Sequence, residues 1–211
     1  MSASLRLGIL ISGGGTTFLN LHQKILSNQL SAEIACVVSS SRKALGLAKA
    51  RELGYPAQVV QRSKFEDDES FSRAIIGHLC NHRVDLVVLG GFLKKFIPMS
   101  PFQQRCINIH PSLIPAFCGK GFYGMKVHQA VWDRSCKISG CTVHLVNANY
   151  DEGPIILQKA TAIDDRDTPE TIKDKVFGLE CQALPEAIDL FVKDRIRFEK
   201  NRSIIQPENG P

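Results

Sequence analysis

Short runs of mostly apolar residues constrain the fold of this chain more than any other sequence feature. The runs lie at residues 5–12, 33–39, 57–60, 85–89 and 105–110, and helical patterns separate them at 17–30, 44–54 and 69–82. Strands with near-continuous apolar sequence are typical of a parallel sheet that helices cover on both faces. The first half of the chain therefore predicts a doubly wound α/β sheet.

The second half of the chain has a different pattern. Residues 140–146 and 154–162 predict strands joined by a turn, and residues 124–133 predict a helix. Residues 168–194 predict one long helix or two close ones, with Pro185 starting a new turn or causing a kink. The polar residues 201–211 predict a loose tail. We expect one domain over residues 1–200, with a mostly parallel sheet, an antiparallel C-terminal strand region and a long C-terminal helix.

Composition limits the classes of function. The 211 residues suit one large α/β domain, and a net charge of +5 is compatible with anionic small molecules such as phosphates or polyglutamate tails. Because the lysines and arginines are scattered, we expect no nucleic-acid partner. No apolar stretch is long enough to cross a bilayer, and the 7 cysteines form no C-x-x-C pair. We therefore expect a cytoplasmic protein with reduced thiols and no membrane association.

A glycine-rich segment at residues 11–17 follows the first strand and opens a helix. Glycines let the backbone approach an anion, which the free N–H groups at a helix N-terminus can then bind. The segment departs from a dinucleotide-binding loop, because Phe18 stands where the third glycine belongs and residues 39–41 are serines without an acid. It also lacks the Gly-Lys-Ser/Thr of a Walker loop. The sequence favours a phosphate site, and a tight turn without a ligand is the alternative.

The most informative stretch ends the strand at 105–110. Asn108 and His110 share one face of this strand because side chains alternate, and Pro111 stops it at the edge where α/β sheets bind ligands. Taken singly, a turn-capping amide and a buried core histidine would be the ordinary interpretations. Together, an amide and an imidazole can hold a carbonyl oxygen as it becomes an oxyanion, and the histidine can move a proton.

Asp151 opens an Asp-Glu-Gly-Pro turn between the two strands of the second half. Asp-x-Gly is ordinary turn chemistry, but a carboxylate at this position could also orient a histidine or move a proton. Neither His128 nor His144 stands at metal-ligand spacing from a partner, so we expect no metal site.

These segments together resemble the phosphoribosylglycinamide formyltransferases of the wider folate-dependent formyltransferase superfamily. The resemblance covers about residues 5–195 and rests on motifs in a fixed order: the glycine segment, GGFL at 90–93, NIHPSLIP at 108–115, GCTVH at 140–144 and DEGPIILQ at 151–158. It implies the formyltransferase fold, small-molecule substrates, and a monomer or homodimer.

The resemblance also implies a mechanism without a metal or a covalent enzyme intermediate. The amine of glycinamide ribonucleotide would attack the formyl carbon of 10-formyltetrahydrofolate directly, in de novo purine synthesis. Asn108 and His110 would stabilise the tetrahedral oxyanion, and Asp151 would position His110 and help to move protons. The residues expected to hold the amine substrate are Gly14, Gly15, Thr16, Thr17 and Glu180. Those expected to line the folate site are Leu93, Lys94, Lys95, Phe96, Asn147, Ala148, Asn149 and Tyr150.

Departures from the family pattern leave the amine acceptor open. Thr17 replaces an amide, Lys94 replaces an arginine, and Asp68 aligns with an arginine that Lys64 or Arg62 would have to replace. One alternative is a folate-dependent formyltransferase acting on another amine, such as an amino sugar or an aminoacyl-tRNA. A tRNA-directed enzyme would carry a further nucleic-acid-binding domain, and a formyltetrahydrofolate hydrolase would carry a regulatory one. The other alternative is a folate- or nucleotide-binding module without turnover.

Overall fold

The computed structural model describes residues 4–208. Its strands are β1 (Leu5–Ile11), β2 (Ala32–Ser39), β3 (Ala57–Val59), β4 (Leu86–Leu89), β5 (Cys106–His110), β6 (Ile138–Leu145), β7 (Ile155–Ala162), β8 (Ile196–Glu199) and β9 (Arg202–Ile205). Its helices are α1 (Thr16–Leu26), α2 (Leu45–Glu52), α3 (Asp68–Asn81), α4 (Met125–Asp133) and α5 (Pro169–Val192), with a 3₁₀ turn at Arg62–Lys64.

Strands β1 to β7 follow the order β3-β2-β1-β4-β5-β6-β7 in one sheet, and β8 pairs with β9 in a second. The chain divides into two compact units. The first comprises Met1–Asn108 with Val146–Ala148, and the second comprises Ile109–Leu145 with Asn149–Pro211. The division falls within β5, so this strand contributes residues to both units.

In the first unit all strand pairs are parallel. Strand β1 lies between β2 and β4, and its residues from Leu7 to Ile11 are buried as a consequence. Helix α3 begins at an Asp67 cap that accepts the Ser70 N–H at 2.7 Å, and it buries Phe71, Ile75 and Leu79 in the core. Because the strands are parallel, the segments that follow β1 and β4 start from the same edge of the sheet.

In the second unit β6 and β7 pair antiparallel, from Ile138 opposite Ala162 to His144 opposite Ile155. Helix α5 packs against both strands. It starts with a capping box between Thr168 and Thr171 and has a proline in its first turn. Pro185 is buried inside this single helix, so the helix continues through the proline instead of ending there.

The predicted fold class is confirmed: a mostly parallel sheet, an antiparallel C-terminal strand region and a long C-terminal helix. The prediction of a loose tail over residues 201–211 is wrong for Arg202–Ile205, which pairs with β8 as strand β9. The turn between these strands has no glycine to signal it, and Lys200 takes a φ of 54° there. Residues 209–211 of the predicted tail lie outside the described residues. Over residues 4–208, no helix is long and apolar enough to cross a membrane.

Candidate active site

The carboxyl end of β5 carries the candidate amide and imidazole. Asn108 pairs with Leu89 of β4 in the register and is half-buried, whereas His110 is only 4% exposed. Pro111 follows and the strand ends, as the sequence predicts. Both residues therefore stand at the strand edge where ligands of α/β sheets bind.

The turn between β6 and β7 carries Asp151 in the second unit. The Leu145 N–H donates to the Pro154 carbonyl at 2.9 Å and closes the turn. Gly153 passes so near this strand that a Cβ atom would lie 1.9 Å from the Leu145 carbonyl oxygen. Asp151 itself takes a φ of 57°, a left-handed conformation that is uncommon outside glycine. The close passage of Gly153 thus constrains the turn that holds the carboxylate.

The Asp151 carboxylate lies between two imidazoles. Its Oδ2 atom is 3.6 Å from His110 Nδ1, and its Oδ1 atom is 3.5 Å from His144 Nε2. The Gly119 N–H donates to Oδ2 at 2.8 Å. Both imidazole side chains are at most 5% exposed and the carboxylate is 11% exposed. The predicted pair of His110 and Asp151 is therefore brought together, and His144 joins it as a third member.

Two backbone carbonyls determine where the ring hydrogens lie. His110 Nε2 is 2.9 Å from the Phe117 carbonyl oxygen, and His144 Nδ1 is 2.7 Å from the Leu145 carbonyl oxygen. A carbonyl oxygen can only accept, so each of these nitrogens carries a hydrogen. The opposite nitrogens face Asp151 and can donate to it only when their ring is protonated. A proton taken up at His110 Nδ1 is therefore stabilised by the Asp151 carboxylate.

Burial and charge set the resting protonation of this group. Burial lowers the pKa of His110 below 6.5, although the Asp151 charge and the Phe117 carbonyl act in the opposite direction. Burial alone would raise the pKa of Asp151. Interactions with His144, with His110 and with the Gly119 N–H together outweigh burial and lower that pKa below 3.8. Near pH 7 the centre consequently holds an ionised carboxylate beside a neutral His110.

A cavity of about 620 Å³ opens beside Asp151 within the second unit. Its apolar wall consists of Ile114, Pro115, Pro154 and Ile155, and its polar wall consists of Cys118, Glu152, Asn201, Arg202 and Ser203. The volume is large enough for several waters or part of a small molecule. The carboxylate is therefore within reach of solvent despite its burial.

The glycine segment forms an uncapped helix start in the first unit. Gly15 is the N-cap of α1 with a φ of 73°, and no side chain caps the helix. A Cβ atom on Gly15 would lie 2.7 Å from the Gly46 backbone near the start of α2, so this approach requires glycine. Thr16 is exposed. Thr17 packs close to Gly90, because a Cβ atom on Gly90 would lie 3.0 Å from the Thr17 side chain. These features suit a phosphate site, as the sequence predicts.

The predicted folate residues lie in several environments. The Leu93 N–H donates to Ser12 Oγ at 2.8 Å, which ties this segment to the end of β1. Leu93 and Lys94 are exposed and Lys95 is half-buried. Phe96 is only 3% exposed and packs in the hydrophobic core. In the loop after β6, Asn147 is half-buried, and the exposed members are Ala148, Asn149 and Tyr150. The boundary between the two units falls inside this loop.

Glu180 and Asp68 have contrasting surroundings. Glu180 lies on α5, and burial raises its pKa to about 7, so its carboxyl group can be either charged or neutral at physiological pH. Asp68 pairs with Arg62, whose guanidinium also donates to the Phe65 carbonyl at 2.7 Å. Arg62 is thus engaged locally, which leaves exposed Lys64 as the other candidate replacement for the missing arginine.

Sequence reasoning missed His144 and the backbone of Phe117–Gly119. His144 shares one face of β6 with Thr142, and a strand histidine in a hydrophobic run is most simply explained as a core residue. The Phe117 carbonyl and the Gly119 N–H carry no side-chain signal at all. Among residues 4–208, no group of three or more His, Cys, Asp or Glu side chains is arranged to hold a metal.

Comparisons with known proteins point in one direction. Residues 5–188 match the family described as formyl transferase. The chloroplastic phosphoribosylglycinamide formyltransferase of Arabidopsis thaliana is 34% identical, over 98% of this chain and 72% of its own length. The phosphoribosylglycinamide formyltransferase of Haemophilus influenzae is 32% identical, over 98% of this chain and 96% of its own length. The solved structure of glycinamide ribonucleotide transformylase 1 from Symbiobacterium toebii matches with a TM-score of 0.87 at 33% identity, over 98% of this chain and 96% of that chain.

Proposed function

The chain belongs to the formyl transferase family, and from that premise we propose that it is a phosphoribosylglycinamide formyltransferase. It transfers the formyl group of 10-formyltetrahydrofolate to the amine of glycinamide ribonucleotide, in purine synthesis. The observation that carries the proposal is the buried group of His110, Asp151 and His144, which can take up and release a proton beside a sheet edge suited to ligands.

The reaction forms one C–N bond and breaks another. The substrate amine attacks the formyl carbon, and the carbonyl oxygen becomes an oxyanion. The Asn108 amide stabilises the oxyanion by a hydrogen bond, and His110 stabilises it by its positive charge once the ring has taken up a proton. Because the Nε2–H of His110 already donates to Phe117, the proton that matters is the one taken up at Nδ1. The attacking amine releases this proton, and Asp151 stabilises the imidazolium that forms. Collapse of the intermediate breaks the bond to the folate nitrogen, which leaves with the proton that His110 Nδ1 releases.

Substrate binding is assigned to separate surfaces. The substrate phosphate lies on Gly14, Gly15, Thr16 and Thr17, where α1 presents its uncapped N–H groups. Glu180 binds the glycinamide substrate from α5. The folate co-substrate lies against Leu93, Lys94, Lys95 and Phe96 and the loop of Asn147, Ala148, Asn149 and Tyr150. Lys94 supplies positive charge for a carboxylate tail but lacks the fork of an arginine.

The test is formyl transfer from 10-formyltetrahydrofolate to glycinamide ribonucleotide, followed as release of the deformylated folate. Asp151→Asn removes the negative charge between the two imidazoles and should lower kcat by about 10²–10⁴. Asp165→Asn is the matched control, because that carboxylate is exposed on the surface of the same unit, and it should retain wild-type kcat.

The acceptor is tested in the same assay. Amino sugars and buffer alone replace glycinamide ribonucleotide in parallel reactions. Turnover only with glycinamide ribonucleotide supports the proposal. Turnover with an amino sugar, or folate binding without any turnover, would transfer the assignment to the alternatives that the Thr17 and Asp68 departures leave open.

A further inference from the structure

A polar network connects β6 and β7 to the segment that follows the candidate catalytic histidine. Thr142 on β6 is 0% exposed, and its hydroxyl donates to the Ser112 carbonyl at 2.7 Å. The same oxygen accepts the Ile114 N–H at 3.1 Å and the Gln158 side-chain N–H at 2.9 Å. A hydroxyl group has one donor and two acceptor positions, so every one of them is used. Such complete use makes the network rigid and costly to disturb.

Gln158 holds the same segment from the neighbouring strand. It stands directly opposite Thr142 in the register of β6 and β7. Its Nε2 atom donates to the Ile114 carbonyl at 3.0 Å as well as to Thr142 Oγ1. Both backbone groups of Ile114 and the carbonyl of Ser112 are therefore held by side chains of the hairpin. This arrangement fixes the start of the segment that follows His110.

Ser112 extends the network toward the catalytic group. Its hydroxyl is 1% exposed and lies 2.6 Å from the Ala116 carbonyl and 3.4 Å from the Phe117 carbonyl. Phe117 takes a φ of 51°, and its carbonyl oxygen lies 2.9 Å from His110 Nε2. Two residues later the Gly119 N–H donates to Asp151. One short segment thus contacts both members of the pair through its backbone.

We propose that Thr142 and Gln158 are positioning residues, which hold residues 112–119 so that the Phe117 carbonyl keeps the hydrogen of His110 on Nε2 and turns Nδ1 toward Asp151. The proposal rests on the function proposed above for its kinetic consequence, but the placement of the ring hydrogen is independent of the substrate. If the network loosens, the Phe117 carbonyl moves and the two tautomers of His110 become closer in energy. The ring then presents a hydrogen to Asp151 in place of the lone pair that accepts the proton.

The measurement is the tautomer of His110, by NMR of the full chain with ¹⁵N-labelled histidine, in the wild type and in Thr142→Val. His110→Asn identifies the resonance. Thr142→Ser keeps the hydroxyl group and should retain the wild-type tautomer. Ser139→Ala is the matched control, because Ser139 Oγ is buried on the same strand and finds no hydrogen-bond partner in the described part of the chain. Gln158→Met is the second variant, because residue 158 is exposed and the change should not prevent folding.

We expect the Nε2–H form in the wild type, Thr142→Ser and Ser139→Ala, and a mixture of tautomers in Thr142→Val and Gln158→Met. In the formyl-transfer assay kcat should fall by at least about tenfold in Thr142→Val, with KM changed by less than about twofold. A folded Thr142→Val or Gln158→Met that keeps the pure Nε2–H form overturns the proposal. Absence of turnover in the wild type would instead contradict the proposed function and leave the tautomer result to decide this one.

Discussion

His128 should make the protein lose stability in mild acid. It lies on α4, is 3% exposed, and among residues 4–208 its Nδ1 atom has no hydrogen-bond partner. Burial and the charges of Lys173 and His110 lower its pKa from 6.5 to about 4, with only Asp174 opposing them. In the unfolded chain the ring binds a proton near pH 6.5, whereas in the folded chain it does so only near pH 4. Between these values the unfolded state binds more protons, so stability falls as the pH falls.

The shift sets the size of the effect. One pKa unit corresponds to about 1.4 kcal/mol, so this ring alone should lower the free energy of unfolding by about 1.3 kcal/mol between pH 7.5 and pH 5.5. The pH dependence of the wild-type stability does not isolate the contribution of His128. Burial raises the pKa of Glu180 to about 7, so that carboxyl group stabilises the folded state as the pH falls over the same range. The comparison must therefore be between the wild type and a variant without the ring.

Urea unfolding of the wild type and His128→Leu, at pH 7.5 and pH 5.5, makes this comparison. Leucine has a similar volume and no titrating group, so the variant should lose about 1.3 kcal/mol less than the wild type over this range. His78→Gln is the control, because that histidine is half-buried in the last turn of α3 in the other unit. A His128→Leu variant with the same pH dependence as the wild type would refute the reasoning.

Two further predictions concern a backbone approach and a binding residue. Gly153→Ala should lower the free energy of unfolding by about 2 kcal/mol or more, because its Cβ would overlap the Leu145 carbonyl. Gly77→Ala on α3 should raise the free energy of unfolding by about 0.5–1 kcal/mol, because the added Cβ would meet no described atom outside its own helix turn within 4 Å. Equal effects of the two substitutions in urea unfolding would contradict this reasoning. Glu180→Gln should raise KM for glycinamide ribonucleotide and remove the dependence of that KM on pH near 7. An unchanged KM at pH 8 would exclude Glu180 from substrate binding.

The sheet was predictable because its strands carry their own signal. Buried parallel strands such as β1 and β4 are apolar on both faces, and this pattern depends only on the strand itself. Strand β9 was not predictable, because it is a short strand with exposed residues after a turn without glycine. Its stability comes from pairing with β8 and from contacts such as the Ser203 hydroxyl on the Ile155 carbonyl, which no local pattern records.

The candidate site divides in the same way. The positions of Asn108, His110 and Asp151 were predictable, because they follow from the end of a strand and from a turn that the sequence itself signals. The backbone groups that fix the protonation of these side chains were not predictable. The Phe117 carbonyl, the Gly119 N–H and the Leu145 carbonyl belong to the backbone, so their positions depend on folding and not on residue type. They nevertheless decide which ring nitrogens carry hydrogen, and hence which atom next to Asp151 can accept a proton. Substitutions that move this backbone should therefore change the chemistry while every predicted catalytic side chain stays in place.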